Sequence, residues 1–215
     1  MKSRSEQDGL DTLSPTDLNI LSVGISTGGK AEIKMLNMEP KRQVTATTLD
    51  ENGLEMLRKQ VEGTAITGRL DLRIEDISSD SLPYADTEFD FVYARLVLHY
   101  LSAQDLQIAL RNIHRILKEG GRVFIVVRSK DTQELTKSNI IRYDKQTCLT
   151  TYRAPSGRSA VRYFHTIESI SAAVKKAGFT PQSVGQFDED LSPGFNRDTG
   201  QWIPNNVIEL VATKG

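Results

Sequence analysis

Gly24, Gly28 and Gly29 stand between a short apolar run, Leu18–Val23, and a helix-compatible segment, Lys30–Leu36. A buried strand feeding a glycine-rich turn and a helix start suits a nucleotide-like ligand. Glycines let the backbone come close, and the first helical turn aims its free N–H groups at the ligand. An acid about 20 positions further on is expected to take ribose hydroxyls. Asp50 stands there, with Glu51 beside it, after the extended stretch Val44–Leu49. The plain alternative for Asp50 is the N-cap of the helix that follows, and both roles can coexist. Asp76, followed by Ile77, ends a third extended stretch and reads either as a second ligand-binding acid or as the cap of the Ser78–Ser81 turn. His99, His165 and Tyr143 are the candidates for a catalytic base. For His99 the alternative is a histidine packed under the sheet end. Cys148 is the only cysteine and sits in no nucleophile motif.

These groups need elements to position them. Val44–Leu49 and Leu70–Ile77 read as strands two and three, and Phe89–Ala94 as strand four. Asp50-Glu51 open a helix with Leu54, Leu57 and Val61 on one face. Ser102 and Asp105 form a capping box, and Leu106, Leu110, Ile113 and Leu117 make a stripe ending at Lys118. His114 sits on the flank of that stripe. Val123–Val127 is apolar throughout, as a strand buried on both faces should be. Alternation of strand and helix through five strands predicts an α/β, doubly wound parallel sheet. Thr166 can cap a helix through Ala177. Ser183–Phe187 and Val207–Ala212 are extended candidates separated by a long loop, and such loops commonly work near a site.

Residues 1–17 read as a loose polar arm with at most a short helix around Asp8–Leu13, and residues 18–215 as one domain. The chain carries 27 basic and 28 acidic residues, so no global field draws it to nucleic acid or to a membrane. One cysteine excludes a disulfide framework and a thiolate metal cluster, and no metal site is expected. No stretch approaches the roughly 18 apolar residues of a membrane span, and the expected setting is the cytoplasm. A monomer or homodimer is expected. The segment 128–162 has weak periodicity and eight Lys/Arg against three Asp/Glu. It reads as an insertion or lid at a substrate site, with Tyr152 and Arg153 as candidate acceptor contacts and a solvated basic loop as the alternative.

The pattern resembles the class I S-adenosylmethionine-dependent methyltransferases from about Leu18 to Gly215. ILSVGISTGG stands where that family has its first strand and glycine turn, Asp50 at the ribose-binding acid, and Ile74–Ile77 at the adenine-binding strand end. Phe89–Leu101, Ile116–Val126 and Arg162–Phe179 resemble the later motifs in order. The resemblance implies a Rossmann-like seven-stranded sheet of order 3-2-1-4-5-7-6 with strand seven antiparallel. It implies S-adenosylmethionine as cofactor, held by Gly24, Ser26, Gly28, Asp50, Glu51, Asp76, Ile77, Ala94 and Arg95. Two positions depart from the family: Ser22 replaces an acid, and Ser26 a glycine.

A small-molecule acceptor is the first reading. The alternatives are an RNA or protein acceptor, a non-catalytic partner-binding member with a degenerate pocket, and a nicotinamide enzyme. The last is disfavoured because Gly24–Gly29 lacks the middle glycine of that fingerprint.

Overall fold

A computed structural model describes residues 3–25, 27–154, 156–191, 195–196, 201–202 and 204–215. The chain opens with α1 (Arg4–Asp11), β1 (Asn19–Val23), α2 (Lys30–Met38), β2 (Gln43–Thr48), α3 (Glu51–Val61), β3 (Leu70–Ile74) and β4 (Phe89–Arg95). It continues with α4 (Ala103–Ile116), β5 (Leu117–Arg128) and three short strands, β6 (Ile140–Tyr143), β7 (Thr150–Arg153) and β8 (Ser159–Arg162). Then come α5 (Ile167–Lys176), β9 (Phe179–Glu189), β10 (Phe195–Asn196), β11 (Gln201–Trp202) and β12 (Asn205–Lys214).

Seven strands form one sheet in the order β3-β2-β1-β4-β5-β12-β9. All neighbours from β3 to β5 are parallel, and β12 runs antiparallel to both β5 and β9. This is the order and polarity that the resemblance implies. Residues alternate between two cores. Val123, Ile125 and Val127 pack with Leu106, Leu110 and Ile113 of α4 and Ile170 of α5. Phe124 and Val126 lie in the opposite core with Met35 of α2 and Leu57 of α3. Coverage on both faces explains why β5 reads as an unbroken apolar run. No helix among the described residues is long and apolar enough to cross a membrane.

Five elements differ most from the sequence reading. Strand three stops at Ile74 instead of Ile77: pairing with β2 ends at Thr48↔Ile74, and Asp76 is drawn into a turn by Ser78. Helix α4 ends at Ile116, because Leu117 already pairs with Phe89 in the sheet. The two C-terminal strands are longer, since β12 bonds to neighbours on both sides. The N-terminal arm is a docked helix rather than a loose segment. Ser3 caps α1, and the buried Glu189 at the end of β9 accepts bonds from Ser3 Oγ (2.6 Å), Ser5 N (3.0 Å) and Ser5 Oγ (2.6 Å). A carboxylate at a helix N-terminus is favourable there. The capping partner lies 186 residues away in sequence, so local patterning could not reveal it.

Gly29 has φ +59°, and a Cβ on it would overlap Leu57 Cδ1 of α3. Both the left-handed backbone and the overlap oppose a side chain here. Gly29→Ala should therefore cost on the order of 2 kcal/mol or more in urea unfolding. A variant with the wild-type midpoint would show that the loop relaxes freely. A second test concerns Glu209 on β12, whose carboxyl is pushed up to about 7 by burial and by Asp8, against the opposing pull of Arg4. The native state therefore holds this proton more tightly than the unfolded chain, whose value lies near ~4.3. The stability it contributes is complete below that value and is lost as pH rises through about 7. Glu209→Gln should flatten the decline in melting temperature between about pH 5 and 8. An unchanged profile would refute the assignment.

Candidate functional site

The strands of the parallel half end along one edge, and a cavity of about 660 Å³ opens over it. Its size falls in the range of small-ligand sites, and its position beyond the carboxyl ends of the strands is where open α/β sheets bind ligands. Each of the first five strands contributes its end: Gly24 after β1, Thr48 and Asp50 after β2, Asp76 after β3, Leu96 after β4, and Arg128 closing β5.

The wall is polarised. Asp50, Glu75 and Asp76 stand at the β2–β3 side, while Arg95, His99 and Arg128 stand at the β4–β5 side, with the glycine turn of β1 between them. Asp50 caps α3 through Oδ1, which accepts from Asn52 N at 3.1 Å. Oδ2 takes no hydrogen bond among the described residues, so capping and ligand binding can coexist on one side chain. A Cβ at Gly53 would lie 3.0 Å from that free oxygen, so the glycine keeps space open beside it. Asp76 is similar: Oδ1 accepts from Ser78 N (2.9 Å) and Ser78 Oγ (2.6 Å), fixing its rotamer. Burial raises the Glu75 carboxyl above its ordinary range.

Gly24 has φ +79°, and a Cβ there would come within 2.8 Å of Val97, another wall residue. Its N–H and that of Ile25 both donate to Thr47 O, at 2.8 and 3.0 Å. These amides therefore close the turn rather than face a ligand. Leu96 is left-handed at φ +56°, a strained setting for a branched residue. It turns the chain sharply out of β4, with its N–H donating to Val126 O at 2.8 Å.

Of the expected cofactor residues, the structure brings Gly24, Asp50, Asp76, Ile77 and Arg95 to the cavity. Gly28, Glu51 and Ala94 do not line it. Ala94 is fully buried among core side chains, Glu51 is exposed on the first turn of α3, and Gly28 lies in the 3-10 turn before α2. Ser26 lies outside the described residues. Arg95 is committed to the protein: Nε donates to Ser5 Oγ at 2.7 Å, Nη2 donates to Ser3 Oγ at 2.6 Å, and Glu189 stands 3.7 Å away. Ser22, at the position of the missing acid, is fully buried and donates to Glu32 Oε1 at 2.7 Å. An acid thus lies behind β1 after all, supplied by α2, with burial raising its carboxyl pKa.

Among the candidate bases, only His99 lines the cavity. Burial, then Arg128, Arg162 and His165, holds its pKa well below the usual histidine value, so the imidazole is neutral. His165 is fully buried, stacks on Tyr163 at 3.9 Å and is lowered to about 3 by burial. It does not reach the cavity. Tyr143 is 55% exposed on β6, away from the site. His114 packs edge-on against Phe179, 5.0 Å between ring centres. Tyr152 is 1% exposed and spends its hydroxyl on Glu134 at 2.9 Å, and Arg153 points to solvent. Tyr152 is therefore a core residue of the insertion. The segment 128–162 is not an irregular loop but carries a three-stranded antiparallel sheet, β6-β7-β8.

The sequence reading missed Leu96, Val97, Tyr100, Arg128 and Leu191 as wall residues. Arg128 had a signal, as the residue ending an apolar strand of a parallel sheet. Leu191 had none, being brought there by the last sheet pairing. Among the described residues no three His, Cys, Asp or Glu side chains group as a metal site.

A methyltransferase domain model matches residues 21–125. An O-methyltransferase from Pyrenophora dematioidea is 32% identical over 107 residues, covering 50% of this chain and 38% of that protein. A ubiquinone/menaquinone biosynthesis C-methyltransferase from Pseudoalteromonas translucida is 28% identical over 93 residues, 43% of this chain and 36% of that protein. The match spans less than half the length of such curated relatives. Among solved structures, a SAM-dependent methyltransferase from Methanosarcina mazei superposes with TM-score 0.73 at 16% identity, covering 95% of each chain. The ordered motifs, the sheet of order 3-2-1-4-5-7-6 and the matched residues agree: residues 21–125 match a methyltransferase domain, and the chain carries the fold of the class I S-adenosylmethionine-dependent methyltransferases.

Proposed function

We propose that the protein transfers a methyl group from S-adenosylmethionine to a small-molecule acceptor in the cavity. The observation that carries this reading is the polarised wall. Two carboxylates, Asp50 and Asp76, each keep one oxygen without a hydrogen-bond partner among the described residues, on the side where a ribose and a base would lie. The cofactor, when bound, supplies a sulfonium-activated methyl group, so the chain's share of catalysis is alignment and exclusion of water. Gly24 and Leu96 stand in the middle of the wall, and Val97, Leu101 and Leu191 make the acceptor side apolar. His99 is the one candidate base at the cavity, but burial and the neighbouring Arg128 and Arg162 disfavour its protonated form, so it is a weak base for an acceptor that must lose a proton. Two relatives whose names state O-methyl and C-methyl transfer support a small acceptor.

The segment 128–162 serves as the cover of the acceptor side. Its attachments support this: Tyr163 N donates to His99 O at 2.8 Å, Ala103 N to Thr147 O at 2.9 Å, and Arg162 lies over the Tyr100 ring at 4.6 Å. Hydrogen exchange of the ligand-free protein should find β6–β8 less protected than β5, with protection gained on adding S-adenosylhomocysteine. Equal protection in both would count against a cover that moves.

Asp50 gives the sharper test. Its loss leaves buried ribose hydroxyls unpaired, which costs about 2–4 kcal/mol, or roughly 30- to 1,000-fold in affinity. Titration calorimetry with S-adenosylhomocysteine should show that loss for Asp50→Ala and a smaller one for Asp50→Asn. If Asp50 only caps α3, Ala should lower stability by about 1 kcal/mol and leave binding unchanged. Wild-type binding by Asp50→Ala would remove the cofactor from this position.

A further inference from the structure

At the β5 end of the cavity an arginine is buried without the partners a buried arginine needs. Arg128 is 3% exposed, and Nε and Nη1 are shut off from solvent with no hydrogen-bond partner among the described residues. Its counter-charge is Glu134, whose Oε2 lies 3.7 Å from Nη1, too far for a hydrogen bond. Glu134 does not swing closer, because its other oxygen accepts from the Tyr152 hydroxyl at 2.9 Å. Two more groups nearby share the deficit: Arg162 Nε and His99 Nδ1 are both buried and have no hydrogen-bond partner among the described residues. Arg128 and Arg162 thus set two positive charges near each other and near the neutral His99, with Glu134 the counter-charge of Arg128.

Buried polar groups are ordinarily paired, and a buried cation especially so. With Nε and Nη1 unpaired among the described residues, the charge of Arg128 is under-compensated, and a guanidinium that lines the cavity suits an oxyanion bound there. The surroundings describe the rest of that ligand. Val97, Leu101 and Leu191 are apolar, and Tyr100 presents a ring that is 55% exposed. Arg95, the other cation on the wall, is held by Ser3, Ser5 and Glu189 and cannot serve.

We propose that Arg128 is the anchor for a carboxylate carried by the methyl acceptor, an acid with a flat or apolar body lying against Tyr100. Naming this anion the acceptor's rests on the methyl-transfer reading; the anion site itself rests on Arg128 and its neighbours. Arg128 binds and positions here and moves no proton.

The test is titration calorimetry of the full chain with benzoate, benzamide and inorganic phosphate, each with and without saturating S-adenosylhomocysteine. Removing Arg128 alone leaves Glu134 buried and unpaired, which can unfold the protein. The informative variant is therefore the double Arg128→Gln/Glu134→Gln, with Arg128→Lys as the charge-keeping control and a melting curve for each. Wild type should bind benzoate at least tenfold more tightly than benzamide. The double variant should lose that preference, and Arg128→Lys should keep part of it. Equal binding of benzoate and benzamide by wild type, or an undiminished preference in the double variant, overturns the proposal. Tighter binding of phosphate than benzoate overturns the carboxylate assignment. A thirtyfold loss of S-adenosylhomocysteine in the double variant would mean that Arg128 holds the cofactor's own carboxylate, and overturns it as well. If wild type prefers benzoate through Arg128 yet binds no S-adenosylhomocysteine, the anion site stands and the methyl-transfer reading falls.

Discussion

The parallel strands β1, β4 and β5 are covered on both faces, and this double burial is the constraint on which the rest depends. Their backbone groups are used in the plane of the sheet, and their side chains are used above and below it. Nothing polar that must meet a ligand can stand within these strands without the cost of burial. Chemistry is therefore expelled to the strand ends. Because parallel strands end on one side, five separate chain segments deliver their polar residues to one edge. The cavity is where those ends leave the close packing.

The two flanks of that edge differ in charge for a reason that lies in the topology. β2 and β3 lie to one side of β1, and β4 and β5 to the other. Acids gathered after β2 and β3 thus never meet the cations after β4 and β5 across a hydrogen bond, and each flank keeps its sign. Asp50 and Asp76 are rigid because each spends one oxygen on a neighbouring backbone N–H. The cationic flank is rigid by burial instead, as the almost complete enclosure of Arg128 and His99 shows. One flank is organised by local turns, the other by tertiary packing.

That division also sets what was legible in the sequence. The acidic flank is written in contiguous motifs: a strand, a turn and a capping residue within a few positions. Asp50 could be read because its helix signal and its place after the glycine turn coincide. The order of the sheet followed from resemblance and its parallel core from alternation. The cationic flank depends on pairs far apart in the chain, such as Ser129 with His165 and Arg128 with Val207. No local pattern signals them. Tyr152 looked like a binding residue because aromatics among arginines suit that role. Only the position of Glu134 shows that it belongs to the core of the insertion. The start and docking of helix α1 were illegible for the same reason, its capping carboxylate being supplied by β9.

β12 lies between β5 and β9, although β9 precedes it in the chain. While the chain is being synthesised, β9 is complete before the strand that will hold it has been made. Until residues 205–214 are available, the edge of β5 that faces β12 and the inner edge of β9 both expose unpaired backbone groups. Open strand edges are templates for pairing with other chains. The nascent protein therefore passes through a stage at which its central sheet is open at β5. Glu189 at the end of β9 anchors α1, so the last hold on the N-terminal helix also waits for that strand pair. Closure of the sheet and the final seating of the first helix are one late event, and that interval is when the chain most needs protection from its neighbours.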